Sequence, residues 1–259
     1  MRIATWNVNS IKAHLEQVTT WVKSEKPDVL CLQEIKCEDH AFPAAVFEEL
    51  GYSCEVHGQK TWHGVAFLSK VKIESVARRL PGDDADEHSR FIMGTVFGAS
   101  RPITVAGLYL PNGNPAPGPK YEYKLAWMER LKQRASELLA SEEAFVLTGD
   151  FNVIPALADM KRPEAWTNDA LFLPRTRATY EGLMQLGLTD AFRALHPDTV
   201  AYSFWDYQAG AWQKNNGIRI DHHLLSPQAA DMLVSARIYG EARGMEKPSD
   251  HVPVMIDLQ

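Results

Sequence analysis

The chain runs to 259 residues, 45% hydrophobic and 23% charged, with a formal net charge of -6. That is enough apolar material for one large domain or two small ones, and no stretch approaches the roughly 20 apolar residues that span a bilayer. The acidic balance excludes a general basic coat, so nucleic-acid binding would have to rest on local patches.

The first unit reads as strand, helix, strand. An apolar run covers 3–8, Ile11, Leu15, Val18 and Val22 recur at helical spacing, and Pro27 precedes a second run, Val29-Leu30-Cys31-Leu32. Parallel pairing of the two strands, which an intervening helix implies, brings Asn7 and Glu34 out at one sheet edge. The carboxyl ends of strands are where α/β folds tend to place functional groups. Cys31, Cys37 and Cys54 match no common zinc spacing and are expected as reduced thiols.

Further strands are expected at 64–68, 91–97, 103–110, 144–147, 199–205, 218–225, 233–238 and 252–258, and helices at 42–50, 121–139 and 174–186. So many strands exceed a single doubly wound sheet. Two packed sheets with helices outside is the more economical α/β architecture. The Pro- and Gly-rich stretch 111–119 and the polar stretch 159–169 read as loops. Core strands lie on both sides of each loop, so 1–259 is expected as a single domain.

Three segments could carry chemistry. Gly149-Asp150-Phe151-Asn152 ends an apolar strand, and in extended geometry Asp150 and Asn152 face one way while Phe151 turns into the core. A capped turn would use the same residues. Ser249-Asp250-His251 puts a hard metal ligand and a phosphate-binding imidazole ahead of the last strand. In Arg219-Ile220-Asp221 a carboxylate sits among apolar neighbours, where burial is costly unless paired, and His251 is a fitting partner. Strands ending in Asn, Asp, Glu or His are wasteful for stability and suited to an oxygen-ligated magnesium site. Such a site fits phosphate ester hydrolysis, with a carboxylate activating water and no Ser or Cys nucleophile. The chain has no Gly-x-x-x-x-Gly-Lys-Ser/Thr loop and no Gly-x-Gly-x-x-Gly after a strand, which weakens a nucleotide-binding reading.

The ordered set Trp6-Asn7-Val8-Asn9, Pro27-Asp28-Val29-Leu30-Cys31-Leu32-Gln33-Glu34, Tyr109-Leu110-Pro111-Asn112, Gly149-Asp150-Phe151-Asn152, Arg219-Ile220-Asp221 and Ser249-Asp250-His251 resembles the exonuclease III family of apurinic/apyrimidinic endonucleases. The likeness covers essentially the whole chain. It implies a four-layer α/β sandwich, two packed mixed β-sheets flanked by helices. It also implies hydrolysis of the DNA backbone 5′ to an abasic site, leaving a 3′ hydroxyl, with 3′ to 5′ exonuclease and 3′ end-cleaning activity. By the same resemblance Glu34 would hold Mg2+, or Mn2+ in its place, helped by Asn7 and Asp250, with Asp150, Asn152 and His251 at the same centre. Asp150 would be the general base or proton-transfer group, Asn152 would position water and phosphate, and Tyr109 would contact the phosphate. His251, oriented by Asp221, would stabilise the developing charge.

Substrate selection falls to a second constellation. A pocket closed by Phe204, Ile218 and Ile220, with Trp205 beside it, would accept a flipped abasic sugar by shape, although so aromatic a stretch otherwise reads as core. Asn112 joins the substrate-binding set, as does Arg90, which like Lys60, Lys120, Lys161 and Arg162 either grips flanking phosphates or stands as a solvated charge. The chain departs from the family at His222-His223, apolar in many relatives, a pair that either perturbs Asp221 or lies on an exposed face. Two other readings stay open: a superfamily phosphodiesterase or phosphatase with a non-nucleic-acid substrate, and a non-catalytic DNA-binding module. The expected partner is double-stranded DNA with abasic or 3′-blocked sites, met by a monomer in the cytoplasm, since no signal-peptide pattern opens the sequence and no membrane segment is evident.

Overall fold

The computed structural model describes residues 1–98 and 100–259. Its strands are β1 (Arg2–Asn7), β2 (Val29–Gln33), β3 (Ser53–His57), β4 (Val65–Ser69), β5 (Lys72–Arg78), β6 (Phe91–Phe97), β7 (Ile103–Tyr109), β8 (Phe145–Asp150), β9 (Thr189–Asp190), β10 (Asp221–Leu225), β11 (Leu233–Ile238) and β12 (Val254–Leu258). The helices are α1 (Leu15–Glu25), α2 (Ala44–Glu48), α3 (Pro119–Leu139), α4 (Pro163–Trp166), α5 (Pro174–Gln185), α6 (Ala191–Leu195) and α7 (Pro227–Ala230). The strands form two six-stranded sheets, ordered β11-β12-β1-β2-β4-β3 and β5-β6-β7-β8-β10-β9. Among the described residues only β1/β2 and β7/β8 pair in parallel, and these are the neighbours joined through the helices α1 and α3, because a parallel return needs a crossover.

Alternation on the strands decides the layering. Val29 and Cys31 of β2 pack in the core between the sheets, with Val65 and Phe67 from β4 and Val105 and Val146 from β7 and β8. The intervening Leu30, Leu32, Ala66 and Leu68 face outward under α1 and α2, against Val18, Trp21 and Phe47. On the far side Leu108, Phe145 and Leu147 pack under α3 and α5, against Trp127, Leu131 and Leu183. Both faces of the central strands are buried, which is why they read as continuous apolar runs. The four-layer sandwich expected from the sequence is therefore the observed fold. At its centre Gly107 has no side chain because Phe67 and Cys31 of the opposite sheet come too close: a Cβ there would lie 2.9 Å from the Phe67 ring.

Differences from the sequence reading have common causes. The strands it omitted, β3, β5 and β9, are all sheet edges, and β5 also carries an irregularity between Glu74 and Ala77. An edge strand needs little apolar patterning. Residues 199–205 do not form a strand: only Phe204 makes bridges, to Ile218 and His251, and the neighbouring rings pack with one another. Likewise the strand expected from 218 begins at Asp221, and the supposed loop 159–169 contains α4. All three cysteines are free thiols. Among the described residues no helix is long and apolar enough to cross a membrane.

Candidate active site

The core between the sheets turns polar toward one end. Along β1 the inward positions run Ile3, Thr5, Asn7, and along β8 they run Val146, Thr148, Asp150. Gln33 Nε2, at the last residue of β2, donates to Thr5 Oγ1 at 3.0 Å. In the second sheet the register lines up Tyr109, Asp150 and Asp221 on three adjacent strands. Asn7 ties the two sheets together, its Nδ2 donating to Glu34 Oε1 at 2.8 Å and to Asp150 Oδ2 at 3.0 Å.

Glu34 and Asn152 each sit one or two residues past a strand in left-handed backbone, at φ 51 and φ 48. Such conformations cost on the order of 1 kcal/mol for a residue with a side chain and are held only where the surroundings enforce them. The Asn152 N–H donates to Asp150 Oδ1 at 2.8 Å, its Nδ2 donates to the Leu110 carbonyl at 2.8 Å, and its Oδ1 accepts from Asn112 Nδ2 at 3.2 Å. Asn9 Nδ2 donates to Asp250 Oδ1 at 3.2 Å, and Lys36 Nζ lies 3.0 Å from Glu34 Oε2. The next residue, His251, is held through its carbonyl by Trp6 Nε1 at 3.0 Å.

His251 stands between two carboxylates. Its Nδ1 donates to Asp221 Oδ2 at 2.9 Å, and its Nε2 lies 3.8 Å from Asp150 Oδ2. The same Asp221 oxygen accepts from Ser203 Oγ at 2.6 Å, while Asp221 Oδ1 has no partner. Burial works against a charged ring, but Asp221 and then Asp150 outweigh it and lift His251 to about 10. Burial pushes Asp150 the other way for a carboxyl, up to about 7, with His251 pulling it down and Asp221 pushing it further up. Burial would also raise Glu34, yet Lys36 and the Asn7 hydrogen bond bring it below the usual range. Burial, Glu34 and Asp150 keep the Tyr109 phenol protonated far into the alkaline range.

These groups surround a cavity of about 350 Å³ lined by Glu34, Tyr109, Asn112, Asp150, Asn152, Asp250 and His251, with Phe204, Ile220, Leu171 and Trp166 as its apolar wall. Asn7 and Asp221 stand directly behind the lining. Ile218 packs beneath Phe204 at 1% exposure. Trp205 does not join them: its ring packs against Tyr202 and Trp212, and its Nε1 donates to Asn215 Oδ1. Arg90 is no surface charge either, since its guanidinium lies 4.7 Å from the centre of the Tyr109 ring and borders a neighbouring cavity. Lys60, Lys120, Lys161 and Arg162 are exposed.

Of the two readings of His222 and His223, the exposed face does not hold, because both are buried, and neither hydrogen-bonds the Asp221 carboxylate. His222 bridges Arg219 Nη1 and the Val153 carbonyl, and His223 bridges Thr148 Oγ1 and the Val254 carbonyl. Burial draws both rings down to about 4, so they are neutral. Arg219 itself is buried between Asp159 at 2.7 Å and Asp190 at 2.8 Å. Sequence reasoning also passed over Trp166, Asn114, Asp169 and Lys124. Lys124 sits beside the apolar stripe of α3, in a position that reads as an ordinary helix-surface charge.

A two-sheet α/β sandwich whose strand ends converge on carboxylates and a charged imidazole defines the class of metal-dependent phosphoesterases. The profile of the endonuclease/exonuclease/phosphatase family matches residues 4–251, and the chain belongs to that family. It is 35% identical to exodeoxyribonuclease III of Haemophilus influenzae over 100% of both chains. The fold matches an AP endonuclease from Archaeoglobus fulgidus with a TM-score of 0.94 and 36% identity, covering 100% of this chain and 99% of that one. A 3′ phosphatase from Neisseria, NExo, solved with a product DNA hairpin, matches with a TM-score of 0.94 and 37% identity, again covering 100% and 99%.

Proposed function

We propose that the chain is a Mg2+-dependent DNA repair nuclease that hydrolyses the phosphodiester 5′ to an abasic site, with 3′ to 5′ exonuclease and 3′ end-processing activity. The observation that carries this reading is the single cavity in which Asp150, His251 and Glu34 face an apolar wall of Phe204 and Ile220. The names of its relatives, an exodeoxyribonuclease III, an AP endonuclease and a 3′ phosphatase, support it. The wall is the feature a phosphatase for a highly polar headgroup would not need. Because both sheets contribute to one cavity, residues 1–259 act as one catalytic domain, working as a monomer in the cytoplasm.

The donor set fits a hard divalent ion. Five carboxylates, from Glu34, Asp150, Asp169, Asp206 and Asp250, line the cavity and would repel a phosphodiester unless a cation came between them. Glu34 and Asp250, backed by Asn7, would hold Mg2+ or Mn2+. When bound, the ion neutralises charge on the phosphate and the leaving oxygen. Asp150, Asp221 and His251 also lie within ligand distance of one another, but there the ring carries a proton between two carboxylates. With Nδ1 committed to Asp221, we assign the Nε2 side of His251 to the phosphate.

In the proposed reaction Asp150 takes a proton from the attacking water as its oxygen bonds to phosphorus, the bond to the 3′ oxygen of the preceding nucleotide breaks, and that oxygen takes a proton from solvent water to leave as a hydroxyl. Asn152 and Asn112 orient water and phosphate, the Tyr109 hydroxyl donates to a non-bridging oxygen, and His251 places its positive charge where negative charge grows. The products are a 3′ hydroxyl and a 5′-phosphorylated abasic end. The test is one assay on abasic duplex, undamaged duplex, 3′-phosphate ends and a lipid phosphodiester, with the wild type, Glu34→Ala and Asp150→Asn. Abasic cleavage should need Mg2+ and collapse in both variants while folding persists. Full activity in EDTA or in either variant, or preference for the lipid, would overturn the assignment.

A further inference from the structure

Among the described residues Lys124 is the only fully buried lysine, at 0% exposure, and it makes no ion pair. Its amino group, which burial draws down to about 7, reaches in from α3 and donates to two backbone carbonyls, Asn152 at 2.6 Å and Asn112 at 3.0 Å. Burying an ammonium costs several kcal/mol even after relaxation, and lysine belongs to the residue types least often found inside. Simple packing of a helix against two loops would be served better by an apolar side chain.

The two gripped residues are the two whose side-chain amides pair with each other at the cavity, Asn112 Nδ2 donating to Asn152 Oδ1. One of them, Asn152, also donates its backbone N–H to Asp150 Oδ1. The loop is shaped around the lysine. Gly113 sits at φ +91, and a Cβ there would come within 2.6 Å of Lys124 Cδ, so glycine keeps open the channel that the lysine stem fills.

We propose that Lys124 is a positioning residue for the hydrolysis, locking the Asn112 and Asn152 backbones together so that both amides, and Asp150 through the Asn152 N–H, keep a fixed aim at the phosphate. It acts through Asn112 and Asn152 and is not among the residues that line the cavity. The inference rests on the proposed hydrolytic role of the cavity.

The test is a double-mutant cycle in the full chain with Mg2+, comparing wild type, Lys124→Met, Asn152→Ala and the double variant on a duplex with one tetrahydrofuran abasic analogue. Lys124→Met should lower kcat on the order of 10²-fold, the scale of a misplacement by about 1 Å, while KM changes less than about threefold. Lys124→Met should cost less in the Asn152→Ala background than in the wild type, because the lysine then has one amide fewer to aim while it still holds Asn112 and the Asn152 backbone. Lys124→Gln, which keeps N–H donors, should recover part of kcat. Losses that multiply in the double variant, or a rise in KM with kcat intact, would overturn the proposal. Should Lys124→Met fail to fold, the same cycle with Gly113→Ala, which presses on the lysine stem, decides by the same outcomes. Absence of cleavage by the wild type would sink the hydrolytic reading, whereas wild-type cleavage with undiminished kcat in Lys124→Met would sink only the lysine's role.

Discussion

Replacing Asp221 with asparagine removes a charge while keeping shape and one acceptor. A single carboxylate oxygen receives both His251 Nδ1 and Ser203 Oγ, and the other is unpartnered, so the amide fits with its oxygen turned toward the ring. Burial disfavours the imidazolium, and Asp221 with Asp150 lifts it from 6.5 to about 10, which corresponds to about 5 kcal/mol in favour of the charged ring. Asp221 is the larger of the two contributions. Losing even half of that preference lowers the ring on the order of two pH units. Single-turnover cleavage of an abasic duplex followed from pH 6 to about 9.5 reads this directly. The wild type should hold its rate across the alkaline range. Asp221→Asn should fall about tenfold per pH unit above its lowered ring pKa and recover toward the wild type near pH 6. Two parallel profiles separated by a constant factor would refute the argument, since they would mean that Asp221 only orients the ring.

The neutral pair His222 and His223 should make the fold acid-sensitive. Both titrate near 4 in the native state against 6.5 otherwise, so between those values the unfolded chain binds more protons and stability falls as pH falls, by up to about 3 kcal/mol for each ring. The charged His251 contributes in the opposite sense, fully below 6.5 and fading as pH rises through about 10. His223→Leu should lower stability at neutral pH, by unpairing Thr148 and the Val254 carbonyl, and flatten its loss between pH 6.5 and 4 in urea melts; an unchanged pH slope would contradict this. Arg219→Met strands the Asp159 and Asp190 carboxylates and should cost about 3–5 kcal/mol in the same melts, with a loss below about 1 kcal/mol speaking against the network. Phe204→Ala should slow abasic cleavage more than 3′ exonuclease action, and equal losses would count against the apolar wall as the selector.

The parts of the fold that could be read from residues alone were those buried on both faces. Strands such as β2 and β8 announce themselves as apolar runs, and the β1-α1-β2 crossover forces Asn7 and Glu34 to one edge. Edge strands β3, β5 and β9 carry weak patterns because one side of each is free. The aromatic stretch through Trp205 misled because its rings pack on one another and not on a sheet face. Residues at strand ends were legible because polar groups there interrupt a pattern. Lys124 was not, since its depth depends on loops that arrive from Asn112 and Asn152, which spacing along α3 cannot reveal.

The polar end of the inter-sheet core gives the proposed active site the form of a seam. One jaw, from β1 and β2, carries Asn7 and Glu34, and the other, from β7, β8 and β10, carries Tyr109, Asp150 and Asp221. The distance between the jaws is set by the apolar filling behind them, where Phe67 and Cys31 press against the bare backbone of Gly107. Interiors of this density hardly compress, so the filling works as a spacer for the reacting groups. On the proposed mechanism, a methyl group gained or lost beside Gly107 would shift the spacing of the reacting groups as well as the stability of the fold.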